Sequence, residues 1–357
     1  MLVELKISDV RNLESLNLTL SKTSNIIVGP NGSGKTSILE TIYLLSRARS
    51  FRTYTTKKII SSGKNALVVY GLVEDEQQQN KIAIKKSTQE TLIKINGEKE
   101  KKSSELASYL RVHLIRPESQ TLLERGGALR RSFLDWGVFH VKHDFLTLSK
   151  NYNKVLKQRN QLLKQSPLDT LPLWNKKLAE YGTILDAERL AYVESLRYEF
   201  KLISEELLGL EALELEYNRG WPENRTFLEA LEGTKKRDVF KGYTTVGSHR
   251  ADFNVKVGNC LAQDYLSRGQ MKLLVLALYL AQVKVTSMAS QQRVVVLIDD
   301  LPAELDVYNL KKVVSFLSRL SVQVVMTTTN INNFLGWYSM ENTKVFHVKH
   351  GCIIEGD

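Results

Sequence analysis

A glycine-rich segment near the start of the chain constrains its fold more than any other feature. The segment fits the pattern G-x-x-x-x-G-K-[ST] and comprises Gly29, Pro30, Asn31, Gly32, Ser33, Gly34, Lys35 and Thr36. An apolar run at residues 26–28 precedes it as a predicted buried strand, and residues 37–43 follow with helical spacing. A strand that ends in such a turn and opens a helix directs backbone N–H groups and the helix dipole at one anion. The pattern therefore predicts an α/β fold with a phosphate-binding loop.

This loop predicts a nucleotide site, with ATP and Mg²⁺ as the cofactors. We expect the loop and the adjoining Ser37 to surround the phosphates. Lys35 would reach the β- and γ-phosphates as a catalytic group, and Thr36 would give its hydroxyl to Mg²⁺. A nucleoside triphosphatase also needs a carboxylate at the end of a neighbouring strand. Candidate carboxylates follow much later in the chain.

The carboxylates follow a continuous β-branched run at residues 294–298, which is typical of a central parallel strand covered on both faces. Asp299 and Asp300 stand at its carboxyl end, where open α/β sheets bind ligands. We expect Asp299 to hold the metal and Asp300 to orient or deprotonate the attacking water. The alternative is a pair of aspartates that only starts a turn.

A second anion site is predicted at the start of an apolar helix over residues 269–288. Ser267, Gly269 and Gln270 open this helix, and a serine with a glycine at a helix N-terminus can bind an anion. One copy cannot easily direct both anion sites at one nucleotide. Two copies facing head to tail can, so this order of motifs predicts an ATP-dependent homodimer.

Composition favours a globular protein of a reducing cytoplasm that binds nucleic acid. Charged residues make up 25% of the 357, and no apolar run approaches the roughly 20 residues of a membrane span. The first residues lack a signal-peptide core, and Cys260 and Cys352 lie far apart without metal-ligand spacing. The net charge of +11 favours a polyanionic partner, DNA before a membrane surface. Surplus lysines that only keep the chain in solution are the alternative.

The patterns divide the chain into two lobes. Strand-rich residues 1–118 and 240–357 predict the ATPase lobe, and residues 119–239 predict an inserted, mainly helical lobe. Two helical runs within it, separated by a break that begins at Ser166-Pro167, predict an αα-hairpin of moderate length without a long coiled coil. We expect the basic residues within 150–177 either to contact DNA or to form the solvated outer face of this hairpin.

Several sequence blocks resemble the RecF family, which belongs to the ABC-type ATPase heads of SMC-like DNA-repair proteins, and the resemblance runs nearly end to end. The blocks are residues 7–12, 28–40, 49–53, 116–118, 130–137, 247–252, 266–270, and 297–300 through 304–306. The resemblance implies an ABC-type P-loop ATPase head, formed by a mixed sheet with helices and an inserted helical lobe. It also places Arg11 and Arg52 at basic positions near the nucleotide.

The same resemblance implies the function. It implies a weak ATPase that dimerises on ATP, binds duplex DNA near single-strand gaps and works with RecO and RecR. Together they would promote RecA loading in recombinational repair, replication restart and the SOS response, with single-stranded DNA as a further ligand. Two departures are Pro302-Ala303, where the family usually shows an apolar residue and a serine, and Thr327-Thr328-Thr329, where transporter ATPases carry a histidine.

Two other interpretations of the function of a chain with this loop stay open. The first is an ABC-type energy-coupling ATPase of another complex, which the basic charge disfavours. The second is a small-molecule kinase, which would leave residues 267–270 without a role.

Overall fold

The computed structural model describes residues 1–75, 78–142, 144–165, 168–289, 293–334 and 342–354. Its strands are β1 (Leu2–Val10), β2 (Leu13–Thr19), β3 (Ser24–Val28), β4 (Ala66–Glu74), β5 (Gln79–Ser87), β6 (Thr91–Ile95), β7 (Glu98–Glu100), β8 (Val112–Ile115), β9 (Leu213–Asn218), β10 (Asp252–Val257), β11 (Cys260–Leu261), β12 (Val295–Ile298), β13 (Gln323–Thr328), β14 (Thr343–Lys349) and β15 (Cys352–Ile354). Its helices are α1 (Lys35–Arg47), α2 (Leu106–Tyr109), α3 (Thr121–Glu124), α4 (Gly127–Val141), α5 (Phe145–Leu162), α6 (Leu171–Leu208), α7 (Phe227–Gly233), α8 (Lys235–Lys241), α9 (Ala262–Tyr265), α10 (Arg268–Ala289) and α11 (Val307–Ser318).

The chain folds into two compact units. The first contains Met1–Ser119 and Thr286–Asp357, and the second contains Gln120–Val285. The boundary after Ser119 falls next to the predicted one at residue 118. The return boundary differs, because residues 240–285 group with the second unit, whereas the sequence placed them in the ATPase lobe.

Strand pairing explains this difference. β10 pairs antiparallel with β9 on one side and with β11 on the other, which gives a three-stranded sheet inside the second unit. Phe253 and Val255 of β10 and Leu215 of β9 point into its core. Because β9 precedes the predicted boundary and β10 follows it, the pairing carries the later segment into the second unit.

Two six-stranded sheets form the first unit. One is antiparallel, with the order β2-β1-β4-β5-β6-β7, and the other is mixed, with the order β15-β14-β3-β13-β12-β8. α1 belongs to one hydrophobic core with strands of both sheets, and nearly all of its residues are buried. The helix that follows the glycine-rich loop is therefore held rigidly from both sides.

The mixed sheet brings the motif-bearing strands to one edge. β3, β13, β12 and β8 run parallel, and β14 continues parallel on the other side of β3. All four residues of β12 are fully buried, as the β-branched run predicted. Parallel alignment places the carboxyl ends of these strands side by side.

The second unit contains the predicted helical hairpin. α5 and α6 pack against each other, and α6 begins at Leu171, with Pro172 inside its first turn. Proline is tolerated there because the first N–H groups of a helix have no intrahelical acceptor. The predicted break residues Ser166 and Pro167 lie outside the described residues.

α10 is the apolar helix that the sequence predicted, and most of its residues are buried. Among the described residues it is the one helix long and apolar enough to cross a membrane, with a mean hydropathy of 1.4 over its best window. Within the protein, 67% of that window is buried. Buried core helices meet the same criteria, so this helix is weak support for a membrane span.

Candidate nucleotide-binding site

The glycine-rich loop follows β3, the acidic pair follows β12, and a single strand separates β3 from β12 in the sheet. β13 lies between β3 and β12, and its register pairs Thr328 with Val28 and Met326 with Ile298. The N–H of Gly29, the first residue after β3, donates to the carbonyl of Thr328 at 3.2 Å. The loop and the acidic pair therefore start from neighbouring points of one sheet edge.

Close backbone packing at Gly29 and the backbone conformation at Gly34 require glycine at these two positions of the loop. A Cβ on Gly29 would lie 2.3 Å from the carbonyl oxygen of Val348, and Gly34 has a φ of 119° at the start of α1. Gly351, in the turn between β14 and β15, has a φ of 78° and donates from its N–H to the carbonyl of Ser33 at 2.9 Å. A Cβ on Gly351 would lie 2.0 Å from the carbonyl oxygen of Asn12. The hairpin formed by β14 and β15, called the closing hairpin, thus packs against the loop and supports it.

Lys35 folds back over the loop. Its ammonium donates to the carbonyls of Gly29 at 2.7 Å and Pro30 at 3.1 Å. Burial lowers the pKa of Lys35, while the carboxylates of Asp300 and Asp299 oppose this shift. The side chain is therefore a desolvated cation whose charge is directed at the loop, as a phosphate-binding lysine requires.

Thr36 and Asp299 meet across the site. The Thr36 hydroxyl donates to Oδ1 of Asp299 at 3.0 Å, and the Thr327 hydroxyl donates to the same oxygen at 2.8 Å. The N–H of Asp300 donates in turn to Oγ1 of Thr327 at 2.9 Å. Thr327 therefore fixes both members of the acidic pair, a role that the sequence did not predict.

Asp300 has an unusual backbone and a perturbed carboxyl group. Its φ of 48° lies in the left-handed region, which aspartate tolerates better than most residues. Burial raises its pKa, repulsion from Asp299 and Glu304 adds to the shift, and Lys35 opposes it. A carboxyl group with a raised pKa beside a lysine is better suited to accept a proton than an ordinary surface carboxylate.

Arg11 is tied to a buried acid instead of standing free in the site. Its guanidinium donates from Nε at 3.0 Å and from Nη2 at 2.9 Å to the carboxylate of Glu40, which is fully buried in α1. Ser50 donates to the same carboxylate, and Arg52 lies 3.8 Å from it. Sequence reasoning missed Glu40, although a glutamate in the middle of an apolar helix was a signal that it has a partner.

These groups surround one cavity of about 600 Å³ in the first unit. Its lining comprises Arg11, Asn12, Asn31, Gly32, Gly34, Lys35, Thr36, Ser37, Arg52, Lys58, Ile60, Pro117, Asp299 and Asp300. The lining holds cations, a hydroxyl–carboxylate pair and loop backbone. Ser33 Oγ is buried and has no hydrogen-bond partner among the described residues, so the loop retains an unused polar group. This donor set fits a nucleotide phosphate with Mg²⁺, which takes oxygen ligands and usually one or two carboxylates.

The second predicted anion site belongs to the other unit and forms a well-built helix start. The N–H of Ser267 donates to Oε1 of Gln270 at 3.0 Å, and the N–H of Gln270 faces Oγ of Ser267 at 3.4 Å. This reciprocal arrangement is a capping box. Ser267, Gly269 and Gln270 are all exposed, so the tip of α10 is open to solvent in a single copy.

Comparison with known proteins identifies the family. The family described as RecF/RecN/SMC N terminal domain matches residues 1–354. A DNA replication and repair protein RecF from Shewanella loihica is 38% identical over 354 residues, covering 99% of this chain and 98% of the relative. The chain belongs to the RecF family. The resemblance predicted from the sequence blocks is thereby confirmed.

Solved structures agree with the RecF family fold. A structure described as the recombination mediator protein RecF-ATP in the RecFOR pathway matches with a TM-score of 0.87 and 26% identity, covering 100% of this chain and 97% of the other. The Smc head domain from Pyrococcus furiosus matches with a TM-score of 0.60 and 14% identity, covering 99% and 94%. The predicted ABC-type ATPase fold is confirmed.

Proposed function

We propose that the chain is an ATP-gated DNA-binding protein, a switch with weak ATPase activity. The observation that carries this proposal is the contact between Thr36 and Asp299, because it joins the two halves of a magnesium–phosphate site at one sheet edge. The RecF family membership and the ATP in the name of the matching structure support ATP as the nucleotide.

Several side chains of the cavity have a task in this proposal. Lys35 and the loop N–H groups hold the β- and γ-phosphates, and Thr36 with Asp299 would hold Mg²⁺. When bound, Mg²⁺ neutralises phosphate charge and orients the phosphate oxygens. Asp300 orients the attacking water and accepts its proton, which its raised pKa favours. Arg11, held by Glu40, supplies positive charge at the rim of the cavity.

The gate is an ATP-dependent homodimer. The exposed tip of α10 in one copy, with Ser267, Gly269 and Gln270, binds the γ-phosphate held by the loop of the other copy. ATP then favours the closed dimer, and hydrolysis removes the phosphate that joins the copies. Solvent exposure of the α10 tip supports this arrangement, because the tip has room for a second copy.

The proposed task is recombinational repair in the cytoplasm. The dimer binds duplex DNA near single-strand gaps and, with RecO and RecR, promotes RecA loading, replication restart and SOS induction. The net charge of +11 and the family's repair name support a DNA ligand. In this mechanism the bound nucleotide sets the affinity for DNA.

A direct test compares wild type with Lys35→Arg, using Lys256→Arg as a control on the surface of the second unit. We expect Lys35→Arg to keep part of the ATP binding and to lose hydrolysis and ATP-dependent DNA binding, because the longer guanidinium cannot reproduce the contacts to Gly29 and Pro30. DNA affinity of wild type should fall steeply with salt. ATP hydrolysis by Lys35→Arg at the wild-type rate contradicts the proposal. DNA binding by wild type that does not depend on ATP also contradicts it.

A further inference from the structure

We infer that the α8 face of the second unit binds single-stranded DNA, with an unpaired base stacked on the ring of Phe240. The α8 face is defined by Lys235, Lys236, Phe240, Lys241, Tyr243 and Arg250. This inference rests on the proposed DNA-binding function and assigns a surface to single-stranded DNA, which the family resemblance implies as a further ligand.

The ring of Phe240 is almost fully exposed to solvent. It lies at the end of α8 and is 90% exposed, with its neighbour Val239 also exposed. Single exposed apolar residues are common on protein surfaces. A fully presented aromatic ring on an ordered helix is different when cations surround it, because nucleic-acid sites combine these two features.

The exposed charges of the segment that contains Phe240 have one sign. Between residues 234 and 250 the exposed charged side chains are Lys235, Lys236, Arg237, Lys241 and Arg250. The acidic residue of this segment, Asp238, is fully buried and receives a 2.9 Å hydrogen bond from Nη1 of Arg159. Within this segment solvent therefore meets only positive charge, and the nearest preceding acid, Glu232, is exposed at the end of α7. The cations of the segment are complementary to a phosphate backbone.

A second ring on the same face is already flanked by cations. The ammonium of Lys241 lies 6.0 Å from the centroid of the Tyr243 ring, and the guanidinium of Arg250 lies 5.5 Å from it. Lys164 of the α5–α6 connection adds its side chain beside Gly242, since a Cβ there would lie 3.3 Å from its Cγ. Aromatic rings and cations occur together in this segment, and sites for single-stranded nucleic acid combine these two features.

Buried hydrogen bonds hold the α8 face in place. The Asp238 carboxylate accepts from the N–H of Thr245 at 3.0 Å and from its hydroxyl at 2.6 Å. Asn160 of α5 accepts from the N–H of Thr244 at 2.8 Å. The rings are thus presented by a fixed segment before any ligand binds, which lowers the entropy lost on binding.

An unpaired strand fits this face better than a blunt duplex. The flat faces of bases are hidden by stacking within a duplex, whereas single-stranded bases can stack on aromatic side chains. Phosphates on either side of a stacked base would then meet the lysines of α8. An acidic protein partner is the competing occupant, and competition with oligothymidylate distinguishes the two.

The test uses the full chain and measures the affinity for a fluorescent oligothymidylate and for a blunt duplex by anisotropy. The variants are Phe240→Ala, Phe240→Tyr, and the control Tyr198→Ala, which removes a ring that is 66% exposed on α6. Phe240→Ala should weaken oligothymidylate binding by roughly five- to a hundredfold and leave duplex binding within about twofold. Phe240→Tyr and Tyr198→Ala should stay close to wild type. In Phe240→Trp, the added tryptophan emission should be quenched by unlabelled oligothymidylate.

The outcomes separate this inference from the proposed function. If Phe240→Ala binds oligothymidylate like wild type, or loses duplex binding equally, the stacking contact is wrong. Wild type that fails to bind oligothymidylate also overturns it, as does an acidic protein that binds the α8 face and is not displaced by oligothymidylate. DNA binding that does not depend on ATP contradicts the ATP-gated switch. In that case the ratio of the oligothymidylate affinities of Phe240→Ala and wild type still tests the stacking contact.

Discussion

Thr36 donates a hydrogen bond to Asp299 at 3.0 Å, although the two residues lie 263 positions apart in the chain. Thr36 belongs to α1, and Asp299 directly follows β12. The Thr327 hydroxyl fixes the shared carboxylate oxygen from the strand between β3 and β12. The geometry required for a divalent cation next to a phosphate is therefore set by the sheet and by three short side chains.

The charge of Asp299 is the first property to test. Asp299→Asn keeps an oxygen for Thr36 and Thr327 and removes the negative charge. Magnesium-dependent ATP affinity should fall roughly ten- to hundredfold and hydrolysis should be lost, because a neutral amide binds Mg²⁺ weakly. ATP titration with magnesium and with a chelator measures the effect. Asp264→Asn, on an exposed position of α9, is the control; equal losses in both variants, or none in Asp299→Asn, would contradict the assignment.

Support of the loop by the closing hairpin can be tested with two glycines of the same backbone conformation. Gly351 and Gly63 both have a φ of 78°, and a Cβ on Gly63 would meet no atom within 4 Å. Each alanine variant should cost about 1–2 kcal/mol of stability for the left-handed backbone. Gly351→Ala should in addition weaken ATP binding roughly tenfold or more, because the overlap with Asn12 displaces the loop.

Calorimetric ATP titration of both variants decides this point. Gly351→Ala should lose ATP affinity, and Gly63→Ala should not. If ATP affinity is equal in the two variants, the hairpin turn does not position the phosphate loop.

His249 should make folding stability depend on pH. Tyr152 donates to its Nδ1 at 2.8 Å, its Nε2 donates to the carbonyl of Thr244 at 3.0 Å, and burial lowers its pKa to about 4. Since the unfolded histidine has a pKa near 6.5, the unfolded chain binds a proton first as the pH falls. The contribution is fully present above pH 6.5, declines towards pH 4 and then levels off.

Comparison with His249→Gln isolates this contribution. Wild type should lose about 3 kcal/mol more unfolding free energy than the variant between pH 6.5 and 4. Denaturant titrations at several pH values measure the difference. Parallel pH profiles for the two proteins would show that His249 remains solvated or keeps its proton when folded.

The sequence predicted the site where the signal was local. The loop pattern, the helical spacing after it and the β-branched run before Asp299 each lie within a few consecutive residues. The order of strands at the sheet edge does not, so the bridging role of Thr327 and the contact of Gly351 with the loop could not be read from the pattern. Both depend on pairings between segments that are distant in the chain.

The domain boundary shows the same limit. β9 carries the alternation Leu213-Glu214-Leu215-Glu216-Tyr217, a detectable signal for a half-buried strand. Its partner β10 lies about forty residues later, and no local property specifies which strand it joins. The boundary predicted at residue 240 therefore placed β10 in the ATPase lobe. The pairing of β10 with β9 places β10 in the second unit instead.

The central claim is that one nucleotide joins two copies, and Ser267→Asp tests it most directly. Aspartate is a strong N-cap residue, so α10 should keep its start, while a carboxylate at the tip repels the γ-phosphate of the other copy. Light scattering after size exclusion, with and without ATP and magnesium, gives the mass. Wild type should change from one copy to two with ATP, and Ser267→Asp should bind ATP and remain a single copy. A single copy for wild type, or a full dimer for Ser267→Asp, would contradict the account.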